Sequence, residues 1–278
     1  MRFTKMQGIG NDYIFINCFE ETVNNPESLA IEMSRPHFGV GADGIVLIEP
    51  CDSADFGMRI FNADGSEAEI CGNATRCIGK FVYERKMTDR TTITLLTKSG
   101  IKLLHINPDE NGMVKSVRVD MGSPELDPQK IPVNIGGDIV LGHRITAAGH
   151  QWPITCVSMG NPHAVTFVPD VDVLELSLIG PQFENNAIFP RRTNTEFVQI
   201  IDRKHIKMRV WERGSGETLA CGSGACAALV ASVLNGKADR EVTMQLSGGT
   251  LKLEWSASDN HVYQEGPAEY VFEGEYLG

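Results

Sequence analysis

The chain has 278 residues, enough for two ordinary domains or one large one, each able to bury a core. Its residues are 42% hydrophobic and 22% charged, as in a soluble globular enzyme, and no apolar run approaches the ~20 residues of a membrane helix. A formal net charge of −11 leaves no basic stripe to displace phosphate counterions, which argues against a broad nucleic-acid interface.

The opening MRFTKMQGIGNDYIF has no continuous apolar stretch followed by a small-residue cleavage site, so no export signal is expected and the cytoplasm is the expected compartment. Residues 1–17 alternate in the manner of a strand pair broken at GIGN. NPESLAIEMSRP predicts a helix, with Asn25 before Pro26 at its first position and Pro36 as its stop. GIVLIE, GMRIFN, TITLLT, IKLLHI and SVRVDM read as short strands, and ATRCIGKFVYERK, from Ala74, as an amphipathic helix. In the second half PITCVSMG, HAVTFV, TEFVQII, IKMRVWE, EVTMQL, TLKLEW and HVYQE read as strands. ACAALVASVLNG is apolar or small on every face until Asn235-Gly236, and a helix without a polar face has to be buried all round. Strand-rich halves with few helices make this an α+β chain.

The halves repeat. At an offset of 150 positions Gly10-Asn11 falls on Gly160-Asn161, Gly44 on Asn194, Asn62 on Glu212, Glu67 on Glu217, and Cys71-Gly72 on Cys221-Gly222. The matches collect in turns and at the two Cys-Gly steps, which argues for duplication and for a pseudo-twofold axis. Such an axis would set Cys71 and Cys221 facing each other across a cleft, with each half's strands wrapped round its own helix.

Seven cysteines in a chain with no export signal argue for free thiols. Zinc would want ligands two to four residues apart, whereas the spacings here are Cys-x5-Cys and Cys-x4-Cys, and the Cys-x-x-Cys of a dithiol redox site is absent. Cys18, Cys51, Cys77, Cys156 and Cys226 read as small hydrophobes. Cys71 and Cys221 instead precede glycines at helix starts, where free N–H groups and the dipole favour a thiolate by up to ~2 kcal/mol, enough to bring a thiol of ~8.5 near 7. Two such groups on opposite sides of one carbon suit a reaction that removes a proton from one face and returns one to the other. An amino acid fits as substrate, because its carboxylate could dock on the N–H groups of GNA and GSG, which would also hold the enediolate-like charge of deprotonation. No pyridoxal phosphate, Walker or Rossmann pattern is present, so cofactor-free chemistry without a metal is expected.

GIGNDYI, GVGADGIVLI, FNADGSEAEICGNATRC, MGNPHAV, RRTNTEFV and WERGSGETLACGSGACAA, between residues 8 and 228, together resemble the diaminopimelate epimerase family. Proline racemases and hydroxyproline epimerases look like more distant relatives and supply the alternative reading. A zinc-binding or redox-sensing module is a third. The resemblance implies interconversion of LL- and meso-diaminopimelate in bacterial lysine and cell-wall biosynthesis, without cofactor or metal. It also implies two pseudosymmetric halves, each a β-barrel-like sheet round a central helix, usually in a homodimer. The expected domains are 1–120, completed by 267–278, and 121–266. The resemblance makes Cys71 and Cys221 the acid/base pair, with His163 and Glu212 beside the reacting centre near its amino group. Asn11, Asn62, Asn161, Asn194 and Arg213 would hold substrate, Arg213 at the distal carboxylate. Gly72, Asn73, Gly222 and Ser223 would offer N–H groups to the proximal one. Alone, His163 would read as a turn histidine, and Asn11, Asn161 and Asn194 as turn residues. Some members carry Gln where this chain has Gly44, so a side-chain contact from that position is not expected here, nor one from Asp43.

Overall fold

A computed structural model describes all residues, 1–278, and the chain divides into two compact units, Met1–Asp120 with Glu265–Gly278, and Met121–Gln264.

In the first unit β1 (Arg2–Gly8) and β2 (Asn11–Asn17) form a hairpin turned at Ile9-Gly10, with Gly10 at φ +88°. β2 lies parallel to β3 (Gly44–Glu49), and parallel neighbours need a crossover, which contains α1 (Pro26–Ser34), entered through Asn25-Pro26 as its sequence predicts. β4 (Phe56–Asn62) returns antiparallel to β3 and turns into the two-residue β5 (Glu67–Ala68). α2 (Gly72–Glu84) then crosses to β6 (Thr92–Thr97), parallel to β4, and β7 (Gly100–Pro108) and β8 (Val114–Asp120) follow antiparallel. The last strand of the chain, Glu269–Glu275, pairs with β1 on its far side.

The second unit repeats this plan. β9 (His143–Ala147), β10 (His150–Ser158) and β11 (Pro162–Phe167) are antiparallel, and Gly160, at φ +98°, makes the β10–β11 turn as Gly10 makes its counterpart. α3 (Leu176–Glu184) lies in the crossover to β12 (Asn194–Ile200), parallel to β11. β13 (His205–Glu212), β14 (Gly216–Thr218), α4 (Gly222–Leu234), β15 (Glu241–Leu246) and β16 (Gly249–Trp255) take the places of β4 to β7. β17 (Val262–Gly266) leads to β18, the Glu269–Glu275 strand.

Each sheet curls round one helix. α2 packs on β1 and β2 and also on β7 and β8, and α4 on β10, β11, β12 and β16. Every residue from Gly72 to Val82 is buried, and so is all of α4 from Gly224 to Ser232, as a helix without a polar face requires. A buried helix cannot carry unpaired charge, and Arg76, with no exposed surface, donates to Asn73 Oδ1 at 2.8 Å and to the Pro267 carbonyl at 3.2 Å.

α3 is absent from the elements expected from sequence, because Gly180 and Pro181 are two helix breakers in nine residues. The structure explains the glycine: a Cβ at 180 would lie 2.3 Å from the Trp211 ring, so only glycine lets α3 sit on β13. Gly44 is constrained in the same way, since a Cβ there would lie 2.1 Å from the Phe61 carbonyl oxygen across the β3–β4 pair. The Gln that some members of the resembling family carry at this position could not enter this backbone without a shift. Gly44→Ala is expected to cost about 2 kcal/mol in urea unfolding. Gly57→Ala, on the same strand pair but with ordinary contacts, should stay within about 0.5 kcal/mol.

Candidate active site

In the first unit the C-terminal end of β4, the start of β2 and the N-terminus of α2 come together. Cys71 is the N-cap of α2, with extended backbone at φ −134° and ψ 114°, and its carbonyl accepts the first helical bond from Thr75 N at 2.9 Å. Its thiol donates to Asn11 Oδ1 at 3.1 Å, the oxygen that also accepts from Asn73 Nδ2 at 3.2 Å. The other end of the Asn11 amide donates to Asp43 Oδ2 at 2.6 Å, which fixes which end of the amide faces the sulfur. Asp43 also accepts from Asp12 N at 3.1 Å, and its carbonyl accepts from Ala63 N at 2.9 Å, tying the end of β4 to the same point. Burial, first, pushes the Asp43 carboxyl above its ordinary value, against the bonds it accepts. Asn62 is in register with Gly44 but donates to Ser66 Oγ at 3.1 Å rather than to Asn11 or Cys71. Gly72 and Asn73 are buried in the first turn of α2.

In the second unit the corresponding ends meet. Cys221 is the N-cap of α4, and its sulfur accepts from Gly224 N at 3.4 Å and lies 3.6 Å from Ser223 Oγ. Gly222 is buried against Gln264, whose amide oxygen an added Cβ would approach to 3.0 Å. Glu212, ending β13, accepts from the Thr218 hydroxyl and faces Cys221, which gives its carboxylate a second hydrogen bond. His163 is in register with Asn194 across the parallel β11–β12 pair and has no exposed surface. Its Nδ1 lies 2.7 Å from Glu196 Oε1 and its Nε2 2.9 Å from Asn161 Oδ1. Asn194 donates to the Pro162 carbonyl at 2.9 Å and accepts from Arg213 N at 2.9 Å. Arg213 is exposed, with Nη1 donating to the Arg191 carbonyl at 3.0 Å.

Two residues here lie outside the set expected from sequence. Glu196 is fully buried, pairs with His163 and has one carboxylate oxygen without a hydrogen-bond partner. A Cβ at Gly224 would come 2.6 Å from its Oε1, so glycine at that position makes room for the carboxylate beside the helix start. Its only signal in the sequence is an acid among the apolar residues of TEFV. Asp43 lies in GVGADG, where no side-chain contact is expected from sequence, and only the fold shows that it clamps Asn11.

The expected lowering of the thiols by the helix N-terminus is corrected at Cys221. Burial, then the carboxylates of Glu212 and Glu196, push this thiol well above its ordinary 9.0, and the Gly224 N–H and Ser223 hydroxyl only oppose them. A dipole effect of at most ~2 kcal/mol is outweighed by loss of solvent plus two neighbouring acids. Burial likewise raises Glu212, against the bonds from Thr218 and Cys221. All seven cysteines are free, and no cluster of three or more His, Cys, Asp or Glu side chains is placed to hold a metal.

A family model for diaminopimelate epimerase matches residues 3–126 and 155–271. The diaminopimelate epimerase of Acetivibrio thermocellus is 57% identical, over 99% of this chain and 98% of its own. Among solved structures, a PhzF-family phenazine biosynthesis protein from Bacillus anthracis covers 100% of this chain and 99% of its own, with TM-score 0.72 and 20% identity. A probable proline racemase from Agrobacterium radiobacter covers 99% and 92%, with TM-score 0.73 and 14% identity. At such identities these two likenesses speak for the fold alone.

The raised Cys221 thiol has a consequence for stability. Below the ordinary thiol value of 9.0 it is protonated in both the folded and unfolded chain, and its contribution is fully present. As the pH rises beyond that, the unfolded thiol ionises while the folded one keeps its proton, so stability falls. The urea midpoint is therefore expected to drop between about pH 8 and about pH 10.5, and to drop less steeply in Cys221→Ser, whose hydroxyl does not titrate.

Proposed function

The chain belongs to the diaminopimelate epimerase family, and on that premise we propose that it interconverts LL- and meso-diaminopimelate by passing an α-proton between Cys71 and Cys221 without a cofactor. What carries the reading is that Cys71 and Cys221 each cap the N-terminus of the buried helix at the same place in the two repeated topologies. Each is followed by backbone N–H groups, those of Gly72-Asn73 and Gly222-Ser223, that can bind the α-carboxylate and the negative charge it gains in the transition state.

The raised Cys221 thiol would need a nearby positive charge to become a base. The Cys71 thiol donates to an amide oxygen, and the Cys221 thiol is buried beside two acids that oppose its ionisation. The substrate's α-ammonium brings a positive charge, which favours ionisation of a neighbouring thiol. Glu212 would receive that ammonium, with His163 held beside it by Glu196 and Asn161. The thiolate removes the α-proton, the charge moves into the carboxylate held on the N–H groups, and the opposite thiol delivers its proton to the other face. Asn11, Asn62, Asn161 and Asn194 orient the substrate, and Arg213, exposed on its turn, pairs with the distal carboxylate.

The compartment and assembly follow the same reading: a cytoplasmic homodimer with no nucleic-acid or membrane partner. No helix is long and apolar enough to cross a membrane, and Val271 and Phe272 on β18, 52% and 44% exposed, are apolar surface that a second copy would cover. Cys71→Ala and Cys221→Ala should each lower kcat/KM for LL-diaminopimelate by about 10³-fold or more, measured as formation of the meso isomer. Full turnover by either variant would end the two-base assignment.

A further inference from the structure

Glu184 ends α3 and is buried, with 8% of its side chain exposed, yet the proposed reaction gives it no part. Its carboxylate gathers three donors. Oε1 accepts from Gly214 N at 3.0 Å and from Arg192 Nη1 at 2.9 Å, and Oε2 from Trp211 Nε1 at 2.8 Å. Trp211 and Gly214 flank Glu212-Arg213 in the β13–β14 turn, which opens through two glycines at positive φ, Gly214 at +82° and Gly216 at +79°. A turn built on such residues has little stiffness of its own. Arg192 belongs to the 191–194 segment, which holds Arg213 from the other side through the Arg191 carbonyl and the Asn194 side chain. Both stretches that hold Arg213 are thus bolted to one carboxylate, and α3 is brought close enough by the contact of Gly180 with the Trp211 ring.

We propose that Glu184 is a positioning residue for substrate choice: by locking the Arg213 turn to the 191–194 segment, it places the guanidinium where the distal carboxylate of a dicarboxylic amino acid arrives. The proposal rests on the role given to Arg213 above. A guanidinium–carboxylate pair needs its fork pre-placed, and a small misplacement costs binding at an end of the substrate remote from the reacting carbon. The loss therefore falls on KM rather than on kcat.

The test is steady-state kinetics with LL-diaminopimelate on wild type, Arg213→Ala, Glu184→Ala, Glu184→Gln and the Glu184→Ala/Arg213→Ala double variant. Glu184→Ala should raise KM about 10-fold or more with kcat within about 3-fold, Glu184→Gln should raise it less, and the double variant should match Arg213→Ala alone. If Arg213→Ala leaves KM unchanged, the role of Arg213 fails and this proposal with it. If Arg213→Ala raises KM while folded Glu184→Ala does not, or the two effects simply add, the positioning role is overturned and that of Arg213 stands. Should Glu184→Ala fail to fold, Glu184→Gln decides: a KM rise of about 3-fold at unchanged kcat supports the proposal, and an unchanged KM or a loss in kcat alone overturns it.

Discussion

A helix that is buried all round has nowhere to hide the N–H groups of its first turn, which have no partners within the helix. Both α2 and α4 are such helices, and each begins at the ends of the strands that wrap it. The apolar bodies of the helices fix them inside their sheets, and the cost of that burial is a polar opening at each N-terminus. A cysteine at the N-cap, glycine at the next position and a side chain from the neighbouring turn occupy that opening in both units. The groups proposed to react sit where the fold itself requires hydrogen-bond partners.

The two openings share a backbone but differ in charge. Around Cys71 stand amides: Asn11, which accepts from the thiol, and Asn73, which donates to the same oxygen, braced by Asp43 and the buried Arg76. Around Cys221 stand Glu212 and Glu196, with His163 paired to the latter. Duplication thus kept the plan while the electrostatics diverged. Burial and two acids raise the Cys221 thiol, which opposes its ionisation.

Much of this was legible in the sequence. The strand periodicity located β3, β6 and β15 to the residue, and the all-apolar ACAALVASVL announced a buried helix. The Cys-Gly steps stood out because they recur at corresponding turns. What periodicity could not reveal was α3, whose Gly180 and Pro181 argue against a helix locally and make sense only with Trp211 packed on the glycine. Nor could it weigh the field at Cys221, because the acids responsible, Glu196 and Glu212, come from β12 and β13 and meet the sulfur only after folding. Local sequence carries the dipole effect of a helix start, but desolvation and long-range charge belong to the tertiary structure.

The central claim is that two different groups handle the proton on the two faces of one carbon. It is tested most directly by following the early conversion of LL-diaminopimelate in heavy water. The account predicts deuterium at the α-carbon of the meso product from the first turnovers, while recovered LL substrate keeps its hydrogen. Deuterium entering recovered substrate as fast as product, or product that carries the substrate's own hydrogen, would contradict it.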